Sequence, residues 1–370
     1  HWFAEFYGVM RNGGFDVIIG NPPYVEYLKV QKSYRVINLS SQLCGNLYAY
    51  TIENSLKIIK NKSRIGMIVQ LSFICTERMT PIQNIVIDNS VNLWVSSFDD
   101  RPARLFDGLE HIRTAIFILE KGNVKNKIIF TSKYNKWNSL YREFLLSNIS
   151  FTKNYKTVAK GTIPKIGYDT DNAILDTLLN HHSIKNYLIN DNLNSEKIYF
   201  HNAPQYWIRA MNFKPYFWNE RNGYQLSTQV KTLFLPSKTE ANIVVAILNS
   251  SIFYWWFIVL SDCRHLNLRE IEHFPISIDS MNESLKHVLS DIVEKLMIDL
   301  EIHKQRKICQ YKTTGKVVYD EFYPRYSKSI IDQIDCALAE HYGFSDEELD
   351  YIINYDIKYR MGDDGAEDEA

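Results

Sequence analysis

Gly13-Gly14-Phe15-Asp16-Val17-Ile18-Ile19-Gly20-Asn21-Pro22-Pro23-Tyr24 joins a short apolar run to a rigid polar loop, and the reading of the chain turns on that junction. Asp16 to Gly20 has the length and apolar character of a sheet strand. The two prolines that follow fix the backbone and remove two N–H donors. Open α/β sheets place ligands at the carboxyl ends of their strands, which is where Asn21 falls. Taken alone, Asn21-Pro22-Pro23-Tyr24 also reads as a plain turn, because Asn and Pro favour turns.

Around this junction, residues 15 to 122 alternate short apolar runs with helical periodicity, the pattern of an α/β domain. Tyr48, Ile52, Leu56 and Ile59 fall on one face of a helix expected over about 46–61. Ile65–Val69, Val91–Phe98 and Ala115–Leu119 read as further strands, and Thr80-Pro81 as an N-cap followed by Pro at the first helical position. A doubly wound sheet that holds a nucleotide cofactor opens with a strand and a Gly-rich turn. Gly13-Gly14 precedes its strand and is not that turn, so the cofactor turn is expected upstream of residue 1 or on a second polypeptide.

Beyond residue 123 the pattern loosens into aromatic and β-branched runs broken by Pro164, Pro204, Pro215 and Pro236, as in an irregular recognition domain. Ile243 to Leu260 carries no charge over 18 residues, close to a membrane span in length. Asn249, Ser250 and Ser251 interrupt its centre, so it reads as a buried helix followed by an aromatic strand, and no membrane association is expected. Leu285, Val288, Leu289, Ile292, Leu296 and Leu300 mark one long amphipathic helix. Ile330, Ile331, Ile334 and Leu338 mark another that ends near Gly343, and Ser345 with Glu348 forms a capping box for a last one.

The net charge is −1, but Asp363, Asp364, Glu367, Asp368 and Glu369 fill the last ten residues without a base. Between 123 and 280 there are 18 Lys and Arg against 12 Asp and Glu, the sign that a phosphate backbone attracts. The five cysteines are scattered without a C-x-x-C pair, which suits reduced thiols in a cytoplasmic protein, and the N-terminus lacks a signal-peptide layout. His181, His182 and His201 lack Cys or carboxylate neighbours at ligand spacing and read as loop histidines, so no metal is expected. No Ser-His-Asp signature, phosphate-cradling Gly loop or H-E-x-x-H supports a hydrolase or kinase.

The opening stretch resembles the fourth motif of gamma-class, TaqI-like adenine-N6 DNA methyltransferases from bacterial Type II restriction-modification systems. Asn46-Leu47-Tyr48-Ala49 resembles their fifth motif, on a helix near the cofactor, and Ile68-Val69-Gln70-Leu71-Ser72-Phe73 their sixth, a sheet strand. Arg104-Leu105-Phe106-Asp107-Gly108 with Arg113-Thr114-Ala115-Ile116-Phe117 resembles the eighth, whose aromatic packs on the target base opposite the tyrosine. Tyr206-Trp207-Ile208-Arg209, Leu248-Asn249-Ser250-Ser251-Ile252-Phe253 and Phe274-Pro275 look like the specificity domain of large Type II restriction-methylation enzymes. The stretch from Tyr326-Ser327-Lys328 to Tyr359-Arg360 looks like their C-terminal helical segment.

The resemblance implies a partial Rossmann-like α/β methyltransferase sheet, then a mixed α+β target-recognition domain and C-terminal helices. Expected boundaries are 1–155, 156–280 and 281–360, with a disordered acidic tail over 361–370. The chemistry of the loop fits the implied reaction. The exocyclic amine of adenine is flat because its lone pair is delocalised into the ring. The side-chain carbonyl of Asn21 and the backbone carbonyl of Pro22, each accepting one amine N–H, would favour a pyramidal nitrogen.

Tyr24, with Phe106 opposite, would stack on a base rotated out of the duplex; Phe106 is equally a core residue before a strand. Asn21 and Pro23 would border S-adenosylmethionine, the implied cofactor. Candidate contacts to double-stranded DNA are Lys160, Lys165, Arg209, Lys214, Arg221, Lys231, Arg264 and Arg269. A restriction nuclease is a possible further partner, although no acid-acid-Lys metal signature marks one here. A DNA-binding module without catalysis is the alternative reading.

Overall fold

In a computed structural model the chain is described over residues 2–106, 108, 111–124, 127–154 and 158–362. The acidic tail beyond 362 and Asp107 lie outside the described residues. The chain divides into two compact units, residues 1–172 with 258–262, and residues 173–257 with 263–370.

The first unit holds a six-stranded mixed sheet. Its strands are β1 (Phe15–Gly20), β2 (Ile59–Gln70), β3 (Ser90–Phe98), β4 (Thr114–Lys121), β5 (Ile128–Asn135) and β6 (Thr152–Asn154), in the order β1-β2-β4-β3-β5-β6. β1 and β2 are parallel, as are β3 and β5, while β4 runs antiparallel to both β2 and β3. The carboxyl ends of β1, β2 and β3 therefore share one edge, and the connection from β3 to β4 turns at that same edge.

Alternation fixes which residues are buried. Ile65, Met67 and Val69 of β2 pair in register with Leu119, Phe117 and Ala115 of β4, and Leu93 and Val95 of β3 continue these rows. All of them are buried. Helices α1 (Leu47–Ile58) and α2 (Thr80–Asp88) pack by this sheet and bury Ile52, Leu56, Ile82 and Val86. Asn46 is the N-cap of α1, its Oδ1 accepting from Tyr48 N. Thr80, expected as the N-cap of α2, is instead its first residue, with Met79 at the cap. β2 begins at Ile59, where the helix was expected to continue.

β1 is the edge strand, and among the described residues only β2 pairs with it. Val17 is 57% and Ile19 83% exposed. The turn into β1 requires glycine: Gly14 has φ +112°, and a Cβ there would sit 2.2 Å from the carbonyl oxygen of Ile58.

The second unit contains two small antiparallel sheets. One orders β11 (Val230–Leu235), β7 (Glu196–His201) and β8 (Ala210–Met211); the other orders β10 (Gly223–Tyr224), β9 (Phe217–Asn219), β13 (Gly315–Glu321) and β12 (Gln305–Tyr311). Helices α3 (Lys238–Asn249), α4 (Ser251–Leu260), α5 (Glu283–His303), α6 (Lys328–Tyr342) and α7 (Asp346–Ile353) follow the chain. Gly343 ends α6 in the left-handed conformation and Ser345 with Glu348 caps α7, as the sequence suggests. The β12–β13 hairpin interrupts a stretch expected to be helical.

Residues 251–260, expected as a strand, form helix α4. Every residue from Ser251 to Leu260 is buried, so no apolar period separates helix from strand. Ser251 N–H donates to Asp335 Oδ1 at 2.8 Å, which caps the helix start. Among the described residues no single helix is long and apolar enough to cross a membrane, and α3 and α4 are bent 63° at their break.

Candidate active site

The loop after β1 is built outward from the sheet edge. Asn21 is exposed at the end of the strand, Pro22 is buried beside it and Pro23 is exposed. The Tyr24 ring stands edge-on to Tyr48, with centroids 6.4 Å apart. Tyr48 is fully buried near the start of α1, and its hydroxyl lies 3.1 Å from Ser72 Oγ, just past the end of β2. A continuous side-chain path thus links the carboxyl ends of the two parallel strands. Burial pushes the Tyr24 phenol up to about 12, and among the described residues its hydroxyl has no hydrogen-bond partner. The ring is therefore neutral at physiological pH, as a stacking surface requires.

The far side of the loop is clamped to the start of α1. Leu47 N–H donates to Val25 O at 3.0 Å and Tyr27 N–H to Gly45 O at 2.8 Å. Glu26 accepts from both Arg78 guanidinium nitrogens, at 2.7 and 3.1 Å, and from Asn46 Nδ2 at 3.2 Å. Although burial acts in the other direction, the hydrogen bonds of Arg78 and Asn46 hold the Glu26 carboxyl below its ordinary value. Sequence reading singled out Asn46 only as part of a motif and missed Glu26 and Arg78, which lie 52 residues apart.

The third element at this edge is the β3–β4 connection, which carries Phe106. Arg113 closes it. Leu71 N–H donates to Arg113 O at 2.9 Å, and Arg113 Nε lies 3.2 Å from Asp99 Oδ1 and 3.4 Å from Asp100 Oδ1. Burial raises the Asp99 carboxyl despite the guanidinium; at Asp100 burial acts in the same direction, but Arg113 draws that carboxyl below its ordinary value. Arg142 Nη2 donates to Leu105 O at 2.8 Å and holds the same loop from outside. Phe106 itself is half-buried.

The residues of this edge stand beside a clear likeness to known proteins. Residues 1–103, which hold the loop and its clamp, match the family model described as Eco57I restriction-modification methylase. The start of the chain is similar to a restriction-modification methylase. Over 73 residues it is 33% identical to a protein of Methanocaldococcus jannaschii named as a type II restriction enzyme and methyltransferase, covering 20% of this chain and 6% of that protein. The Type IIL restriction-modification enzyme MmeI, solved in complex with DNA, aligns over 97% of this chain and 58% of its own, with a TM-score of 0.52 and 10% identity. At that identity the likeness is one of fold.

The candidate DNA-contacting cations are distributed between the units. Lys160, in the first, is exposed and pairs with Glu77 at 3.0 Å. Lys165 corrects the sequence reading: it is 1% exposed and donates to Ser261 O at 2.7 Å, so it supports the core and has no surface for phosphate. In the second unit, Lys214 lies 4.3 Å over the Tyr224 ring, Lys231 Nζ donates to Thr228 O, and Arg221 is exposed in the turn between β9 and β10. Arg264 is exposed and Arg269 pairs with Glu270 at 3.2 Å. Arg209 is set apart from these, partly enclosed beside β8. A further cation unmarked by sequence, Arg306 of β12, stacks on Tyr216 at 3.9 Å.

Proposed function

We propose that the chain forms the target-base half of a DNA methyltransferase of a restriction-modification system, transferring the methyl group of S-adenosylmethionine to adenine N6 in a specific duplex site. The observation that carries this reading is the placement of Asn21, exposed at the carboxyl end of β1, with Pro22 buried beside it and Tyr24 edge-on to Tyr48. Asn21 Oδ1 and Pro22 O accept the two amine N–H bonds and localise the nitrogen lone pair. Tyr24, with Phe106 across from it, holds the base outside the stack.

Asn21 and Pro23, both exposed, would border S-adenosylmethionine on one flank of this edge, and the donor, when bound, supplies an electrophilic methyl group. Among the described residues β1 is unpaired along one edge and exposes Val17 and Ile19 on one face, and both surfaces suit further residues, upstream or from a second polypeptide, which would complete the pocket. Arg209, Lys214, Arg221 and Lys231, in the β-rich part of the second unit, are the favoured contacts to the duplex. Replacing Asn21 by Ala tests the assignment: methyl transfer is expected to disappear with DNA affinity nearly unchanged, and retained transfer would overturn it.

A further inference from the structure

The two sheets of the second unit border a cleft of about 450 Å³, within the size range of small-ligand sites. Arg209 enters it from the start of β8. Among the described residues its guanidinium makes one hydrogen bond, from Nη1 to Phe322 O at 3.4 Å, and no ion pair. Two carboxylates line the same cleft but are engaged elsewhere: Asp320 with Lys304 and Arg306, and Glu321 with the Tyr323 hydroxyl. Most of the Arg209 donors are therefore unanswered, and burying such a group without acceptors is costly.

The strand paired with Arg209, where His201 N–H donates to Arg209 O at 3.0 Å, is also donor-rich. Ala203 N–H donates to His201 Nδ1 at 3.3 Å, so the ring proton sits on Nε2 and is donated to Gln229 Oε1 at 3.1 Å. Burial, then the charge of Arg209, pushes His201 down to about 4, which keeps this arrangement at neutral pH. Gln229 can then offer its amide N–H donors to the cleft. Tyr216, Phe217, Tyr319 and Phe322 give the cleft flat aromatic surface.

The geometry points to a guanine-binding site, in which a base slides between the aromatic rings and presents O6 and N7 to Arg209, with Gln229 donating alongside. A phosphate group is disfavoured, because Asp320 and Glu321 line the same space. Adenine is disfavoured because its N6 amine would face a second donor in place of an acceptor. The guanine belongs either to a nucleotide rotated out of duplex DNA or to a free nucleotide. The duplex source rests on the DNA-contacting role proposed above, whereas recognition of the base does not.

Two measurements on the full chain separate these sources: a bind-and-sequence selection from randomised duplex DNA, and equilibrium binding of guanosine monophosphate against adenosine monophosphate. Arg209→Met is expected to lower guanine preference about tenfold at one position of the selected site while other positions persist. Gln229→Ala, at an exposed residue, is expected to weaken the same position and keeps the test valid where the Arg209 variant fails to fold. Guanosine monophosphate binding that both variants weaken, without any selected duplex position depending on them, assigns the cleft to a free nucleotide and removes it from duplex reading. Unchanged selection and nucleotide binding in both variants, or a wild-type chain that selects no guanine and binds no guanosine monophosphate, overturns the proposal. Failure of the methyl-transfer reading would show separately, at Asn21.

Discussion

Arg113 Nε lies 3.2 Å from Asp99 Oδ1, and this contact joins the two ends of the β3–β4 connection at the edge where Asn21 emerges. Arg113→Met would leave two enclosed carboxylates without their nearest cation. Removing one partner of a buried pair costs about 3 kcal/mol or more. The urea midpoint is expected to fall accordingly, and a shift worth less than about 1 kcal/mol would mean that the pair contributes little.

The Glu26–Arg78 pair is a different case, because both side chains are substantially exposed. Arg78→Ala is expected to change global stability by less than about 1 kcal/mol. Its effect should be local: faster amide hydrogen exchange at Val25, Tyr27 and Leu47, whose backbone groups form the clamp, with exchange in β2 unchanged. Since the Glu26 carboxyl is held below its ordinary value, the clamp is present above pH 4.5 and weakens as pH falls through the lowered value.

Asp335 gives a pH dependence of opposite sign. Burial raises its carboxyl to about 6, although the hydrogen bond from Ser251 and the charge of Arg360 act in the other direction. Asp332 adds a further raising influence. A raised acid favours the fold below its unfolded value and loses that contribution as pH rises through 6. Wild type should therefore gain stability relative to Asp335→Asn between pH 7 and pH 4. Parallel curves for the two proteins over that range would show that Asp335 does not titrate there.

Gly14→Ala places a methyl group against the Ile58 carbonyl at a positive φ. The expected loss is about 1–3 kcal/mol, read by thermal or denaturant unfolding. A variant as stable as wild type would mean that the turn into β1 adjusts freely.

What was legible in the sequence is what depends on neighbours along the chain. Asp16 to Tyr24 declares both strand and loop because each feature follows from local residue chemistry, and the caps at Gly343 and Ser345 lie within a turn of what they cap. Helix α4 was misread because burial on every side erases the period that distinguishes helix from strand. The clamp of Glu26 on Arg78 and the closure of Asp99 by Arg113 need the sheet to bring distant segments together. Lys165 shows the same limit from the other side: it reads as a surface cation, yet it is spent on Ser261 O. The Arg209 cleft joins residues from 201 to 322, and no spacing announces it.

The most direct test is product analysis with the assembled enzyme, including whatever residues complete the free side of β1. Duplex DNA is incubated with methyl-labelled S-adenosylmethionine, digested to nucleosides and resolved by mass spectrometry. Label is expected on N6-methyl-2'-deoxyadenosine for wild type and absent for Asn21→Ala, with both proteins retaining the same DNA. Label on deoxycytidine, or undiminished N6-methyl-2'-deoxyadenosine from the variant, would contradict the account.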